Sequence, residues 1–173
     1  MTETSFSKRF AASKGDSIEY QGKTVFGIYR RKVHKDDVIR VHFIRSNVAV
    51  REGLSVSITK GALVVNGQRL RDIILWMDTT PAGLEIVCQT PKSGAMLHVW
   101  NSWDQGGILQ SWLGNAAMLI EEKEGSVILR CSDGLGDPEF GDLVVELGFA
   151  PASDQVRSLM ANVQRRSRVD GRV

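Results

Sequence analysis

A chain of 173 residues with 42% hydrophobic and 24% charged side chains has the composition of one folded domain, large enough to bury a core without disulfides. Its formal charge of +2 is too small to supply the concentrated basic surface that nucleic-acid backbones require, so no nucleic-acid partner is expected. The first residues are polar and no stretch approaches about 18 uninterrupted apolar residues, which excludes a transmembrane helix and points to a cytoplasmic chain.

Residues 1–16 show no clear period and read as a mobile arm, in which Phe6 and Phe10 can dock a helical turn on the body. Gln21-Gly22 marks a turn, and the β-branched and aromatic residues of 24–30 mark a strand. Residues 38–44 alternate: Ile39, Val41 and Phe43 form an apolar face, with Arg40 and His42 on the other. Val56 and Ile58 alternate with Ser55, Ser57 and Thr59, after a turn expected at Glu52-Gly53. Between 62–65 and 68–70 lies Asn66-Gly67, the dipeptide that most readily takes the positive φ values of a two-residue hairpin turn. Ile73, Leu75 and Met77 then alternate with Asp72, Ile74, Trp76 and Asp78, Pro81 fixes a turn, and 84–90 returns.

Strands are expected over 95–100 and 116–122, then over 127–131 and 143–149. Many short strands with turn chemistry between them predict an all-β chain, an antiparallel two-sheet β-sandwich of jelly-roll-like form over 17–150. Cys88 and Cys131 belong to no C-x-x-C arrangement and read as two reduced, buried thiols. In 151–173 the pattern changes: Val156, Leu159, Met160 and Val163 share one face of a short C-terminal helix. Arg157, Arg165, Arg166, Arg168 and Arg172 give it a basic side and tail, suited to packing on a sheet end or to contacting an acidic partner or RNA.

The chemically unusual stretch is 98–118, which holds Trp100, Trp103 and Trp112 among Asn, Asp, Gln, Ser and Gly residues. A connection of about fifteen residues between two strands is long enough to need internal structure or a function. Ile108, Leu109, Trp112 and Leu113 have helical spacing, predicting a helical cap over 108–113. The functional reading is a ligand platform. Flat indoles cover the C–H face of a sugar while neighbouring polar groups bond its hydroxyls. Its expected residues are Trp76, Asn101, Trp103, Asp104 and Gln105, with Asp78 nearby. Trp103, between Ser102 and Asp104, reads as the most accessible indole, and Trp100 and Trp112 as packing residues. The plain alternative is that all four tryptophans fill a core.

Asp133, Asp137, Glu139 and Asp142 cluster hard oxygen donors as calcium coordination requires, but their spacing is not that of an EF-hand and Asp-Gly and Asp-Pro are common turn formers. His42 and His98, meeting on one sheet face with Glu146 or Asp78, would suit a metal site or an acid–base pair. No nucleophile elbow, phosphate loop or cofactor motif occurs, so no cofactor is expected. The leading expectation is a non-enzymatic binding module for a glycan or similar polyhydroxylated ligand. The alternatives are a protein-interaction or homo-oligomerisation domain and a metal-dependent enzyme on a jelly-roll scaffold.

Overall fold

The computed structural model describes residues 4–47 and 49–152. In chain order the elements are α1 (Phe6–Ser13), β1 (Ser17–Tyr20), β2 (Lys23–Phe26), β3 (Tyr29–Val33), β4 (Val38–Ser46), β5 (Arg51–Ile58), β6 (Ala62–Val65) and β7 (Gln68–Leu70). They continue with β8 (Asp72–Trp76), β9 (Leu84–Gln89), β10 (Ala95–Gln105), β11 (Ile108–Gln110), β12 (Ala117–Lys123), β13 (Ser126–Ser132) and β14 (Leu143–Ala150). Among the described residues strand accounts for 57% and helix for 5%, an all-β composition, as the alternation predicts.

Two antiparallel sheets form. The first runs β1-β2-β12-β13-β14-β4-β9-β6-β7, and the second runs β11-β10-β5-β8, with β3 also pairing β10. One hydrophobic cluster draws on both: Ile39, Val41, Leu129, Val145 and Leu147 from the first sheet meet Leu54, Val56, Ile58, Leu97 and Val99 from the second. These are alternate residues of their strands, each turned to the same side by the two-residue period. Cys88 and Cys131 are unpaired and buried in this cluster. Burial pushes the Cys88 thiol up to about 12 and Cys131 upward as well, so both stay protonated and unreactive.

Asn66 and Gly67 adopt φ values of 49° and 75°, making the expected hairpin between β6 and β7. Glu52-Gly53 forms no turn; both residues lie inside β5. Gly53 is required there because Trp76 lies against it: an added Cβ would stand 2.7 Å from Trp76 Cε3 and 2.9 Å from the Leu75 carbonyl. The residue marks a close approach rather than a chain reversal.

Residues 101–105 continue β10, and 108–113 is not a helix. Gly106 and Gly107 take φ of 65° and 83°, the signature of a two-residue hairpin turn, and the Asp104 carboxylate accepts the Gly107 amide at 2.7 Å. These backbone constraints override the helical spacing of the four apolar side chains. Among the described residues the helix lies near the N-terminus. In α1, Phe6 is buried against Tyr20, ring centroids 4.9 Å apart, within a small second core that includes Ile18, Val25 and Ala117. The expected C-terminal helix falls on 153–173, outside the described residues. Among the described residues no helix is long and apolar enough to cross a membrane.

Candidate functional site

Strand β10 sorts the tryptophan-rich stretch onto two faces. Leu97, Val99, Asn101 and Trp103 turn inward, while His98, Trp100, Ser102 and Asp104 turn outward. Trp103, expected to be the accessible indole, is 1% exposed. Its ring packs on Gly134, where a Cβ would come 2.6 Å from Trp103 Cζ2. Asn101 is buried too, its amide donating to the Ser132 carbonyl at 2.9 Å. Asp104 holds the hairpin turn and Gln105 is exposed beside it. The five expected site residues are therefore not brought together: Trp76 and Asp104 face outward, whereas Asn101 and Trp103 belong to the interior.

Trp100 and Trp112, expected to be packing residues, do pack: half-buried Trp100 lies against the main hydrophobic cluster, and Trp112 stacks on it to form an outer platform. Their rings stack with centroids 4.8 Å apart and an interplanar angle of 27°. Trp112 is 45% exposed, and its indole N–H donates to the Gly27 carbonyl at 2.9 Å. Its backbone sits at φ 57°, an uncommon conformation for a bulky residue and one that costs energy to hold. The sequence did carry a signal for Trp100: extending the Leu97, Val99 alternation past residue 100 places it outward.

Trp76 occupies the same face on the far side of β5. Gly53 pairs with Trp76 on one side and Ser102 on the other, and Ser55 pairs with Ile74 and Trp100. Ordinary strand spacing then sets the Trp76 and Trp100 Cα atoms about 12 Å apart. The Arg51 guanidinium lies 4.6 Å from the Trp76 ring centroid, and its Nε donates to both Asp78 oxygens at 2.9 Å. Between the indoles lie small residues, of which Ser55 and Ser102 are buried and Ser111 is half-buried. The Ser55 and Ser102 hydroxyls are 2.6 Å apart and those of Ser102 and Ser111 are 2.7 Å apart.

One edge of β10 pairs with β3 through Val99 and with β11 from Trp103, leaving Trp100–Ser102 without a strand partner on that side among the described residues. Trp112 bridges this gap, and a cleft of about 280 Å³ opens beside it against Phe10, Asp16, Gly27 and Ile28. Arg30 closes the neighbouring side, donating to both Asp16 oxygens at 2.8 and 3.0 Å. Those bonds hold the Asp16 carboxyl below its usual range. Burial and the Arg30 charge push His98 below its ordinary value, against a weaker pull from Asp16, so the neutral imidazole accepts from Arg30 at 2.9 Å.

Beneath the platform lies a buried carboxyl cluster that sequence reasoning missed in part. Glu52, Asp133 and Asp142 are 2%, 2% and 5% exposed. Burial, with Asp133 and Asp142 close by, raises Glu52 to about 9, so it carries a proton near neutrality. Neither Glu52 oxygen nor Asp133 Oδ2 has a hydrogen-bond partner among the described residues, and the closeness of Asp133 is part of what keeps Glu52 protonated. Asp133 Oδ1 accepts the Leu135 amide at 2.8 Å, and Asp142 Oδ2 accepts the Asp133 amide at 3.0 Å. The carboxylates read as calcium donors thus hold the 132–142 backbone, while Asp137 and Glu139 are exposed. Among the described residues no three His, Cys, Asp or Glu side chains converge as metal ligands. His42 lies opposite Glu146 in the first sheet and His98 in the second, so the two do not meet. Compared with protein-family models, with curated proteins and with solved structures, the chain matches none.

Proposed function

We propose that this chain is a non-enzymatic binding module, a jelly-roll-like β-sandwich that holds a glycan or similar polyhydroxylated ligand on the outer face of its second sheet. The observation that carries this reading is the half-exposed Trp112 ring, stacked on Trp100 and tied to Gly27. A flat apolar ring fixed on a strand scaffold loses little freedom on binding, which suits the C–H face of a sugar. Ser111, Asp78 and Arg51 on the same face supply donors and acceptors for hydroxyl groups. The unpaired, buried thiols fit the reducing cytoplasm as its location.

Titrating the protein with a broad glycan panel while following tryptophan emission tests the reading. A ligand that shifts the emission and loses affinity roughly tenfold in Trp112→Ala supports it, equivalent to about 1.4 kcal/mol. Silence across the panel, or an affinity indifferent to Trp112, overturns it.

A second reading, a protein contact, is favoured by one separate observation. Ile108, Leu109, Leu113 and Leu135 are 62%, 48%, 53% and 39% exposed at the end of the second sheet. Aliphatic side chains gathered at a surface fit a macromolecular interface better than a sugar.

A further inference from the structure

Five strands leave a long edge free of any partner strand among the described residues: β1 and β7 in the first sheet, and β3, β8 and β11 in the second. Four carry charge. Glu19 is in β1, Arg69 in β7, Asp72 in β8, and Arg30, Arg31 and Lys32 in β3. Charges on an open edge are a common guard against strand-to-strand association, because an identical edge brought alongside meets like charge. Strand β11, Ile108-Leu109-Gln110, has none, and its two aliphatic side chains are exposed.

We propose that two copies of this chain associate through β11, paired antiparallel about a twofold axis perpendicular to the second sheet. This goes beyond the ligand reading and does not depend on it. The uncharged edge is self-complementary: centred on Leu109, the pairing sets that residue against its own copy and Ile108 against Gln110 of the second copy. No like-charge repulsion opposes it, whereas the same centred pairing would set Arg31 of β3 and Arg69 of β7 against their own copies. A three-residue strand contributes few backbone bonds, so flanking apolar area must add to them. Leu113, three residues past Gln110, and Leu135 are both exposed, and their segments abut where a Cβ on Gly114 would come 2.2 Å from the Gly134 carbonyl oxygen, so they offer apolar area next to each other. Antiparallel pairing of identical strands keeps the same face of both sheets upward. Both Trp100–Trp112 pairs would therefore lie on one continuous surface, and a ligand with repeating units would meet two platforms at once.

The test is the solution mass of the full chain by light scattering over a wide concentration range, for wild type and Leu109→Lys. The expected result is twice the chain mass for wild type and the single-chain mass for the variant, with an unchanged circular dichroism spectrum. Because Leu109 is 48% exposed, the fold should tolerate lysine; if that variant fails to fold, Ile108→Lys, at a residue 62% exposed, takes its place. A second measurement is Leu109→Cys. Antiparallel neighbours place Cα atoms about 4.5–5.5 Å apart, within disulfide reach, and the native thiols are buried, so mild oxidation should link two chains through this position. A wild type that is monomeric at every concentration, a dimer that survives the lysine substitution, or a dimer that never cross-links through residue 109 overturns the proposal.

Discussion

Glu52 and Trp103 stand directly opposite one another on β5 and β10, and both side chains are turned into the interior. The pairing puts an acid where an apolar residue would be ordinary, and its consequence is a dependence of stability on pH. Glu52 binds its proton up to about pH 9 when folded, against 4.5 for the free side chain. Between those values the folded chain holds a proton that the unfolded chain has released, so stability falls as pH rises through that window. One proton gives a slope of at most about 1.4 kcal/mol per pH unit. The raised Asp142 carboxyl acts in the same direction. Glu52→Gln keeps a neutral donor beside Asp133 and removes most of this slope. Denaturant unfolding from about pH 5 to about pH 8 should show the variant losing less stability than wild type. Parallel curves would rule out a protonated Glu52.

Trp112→Phe separates the two anchors of the platform. The aromatic contact with Trp100 is kept, but the Gly27 carbonyl loses the indole donor. One lost hydrogen bond at a half-exposed site costs about 1 kcal/mol. The melting temperature should fall by a few degrees at most, while Trp112→Ala, which also removes the stack, should cost more and shift Trp100 emission to the red. Equal effects of the two substitutions would mean that the stack contributes nothing.

Gly106 and Gly114 both have positive φ, 65° and 54°, but only Gly114 also faces a backbone atom at close range. Gly106→Ala should cost about 1 kcal/mol, the usual penalty for a side chain in the left-handed region. Gly114→Ala adds a clash with the Gly134 carbonyl and should cost at least twice as much in equilibrium unfolding. Similar losses would show that 113–114 and 134 separate easily.

Asp104→Ala leaves the Gly107 amide without its turn acceptor. Since that bond is exposed, global stability should fall by no more than about 1 kcal/mol. Amide exchange in β11 should accelerate, because the hairpin opens locally before the sheet does. Unchanged exchange there would show that Gly106-Gly107 fixes the turn without help.

Much of the strand framework was legible because its signals are local. Ile39 and Val41 are buried by alternation alone, and Asn66-Gly67 makes its hairpin from the conformational freedom of two residues. The site was harder to read because its faces are set by partners distant in sequence. Ending β10 at Trp100 hid the parity that turns Trp103 inward and Trp100 outward. Trp103 is buried by Gly134 and Trp112 is held by Gly27, pairings that no neighbouring residue announces. Gly53 resembled a turn residue, yet it is needed for the ring of Trp76, which the chain reaches only after β6 and β7. The protonation of Glu52 likewise follows from burial beside Asp133 and Asp142, which only the folded arrangement reveals.

The three serines between the indoles have a consequence for what the surface can recognise. Each hydroxyl carries one proton to donate, so the Ser55–Ser102–Ser111 series has two self-consistent polarities, one running toward Ser111 and the other away from it. In one polarity Ser111 has its proton free for the outside, and in the other it presents only lone pairs. Reversal requires all three rotors to turn in concert without breaking the series. The end of the chain nearest Trp112 is thus amphoteric, able to meet either the donating or the accepting side of an incoming hydroxyl.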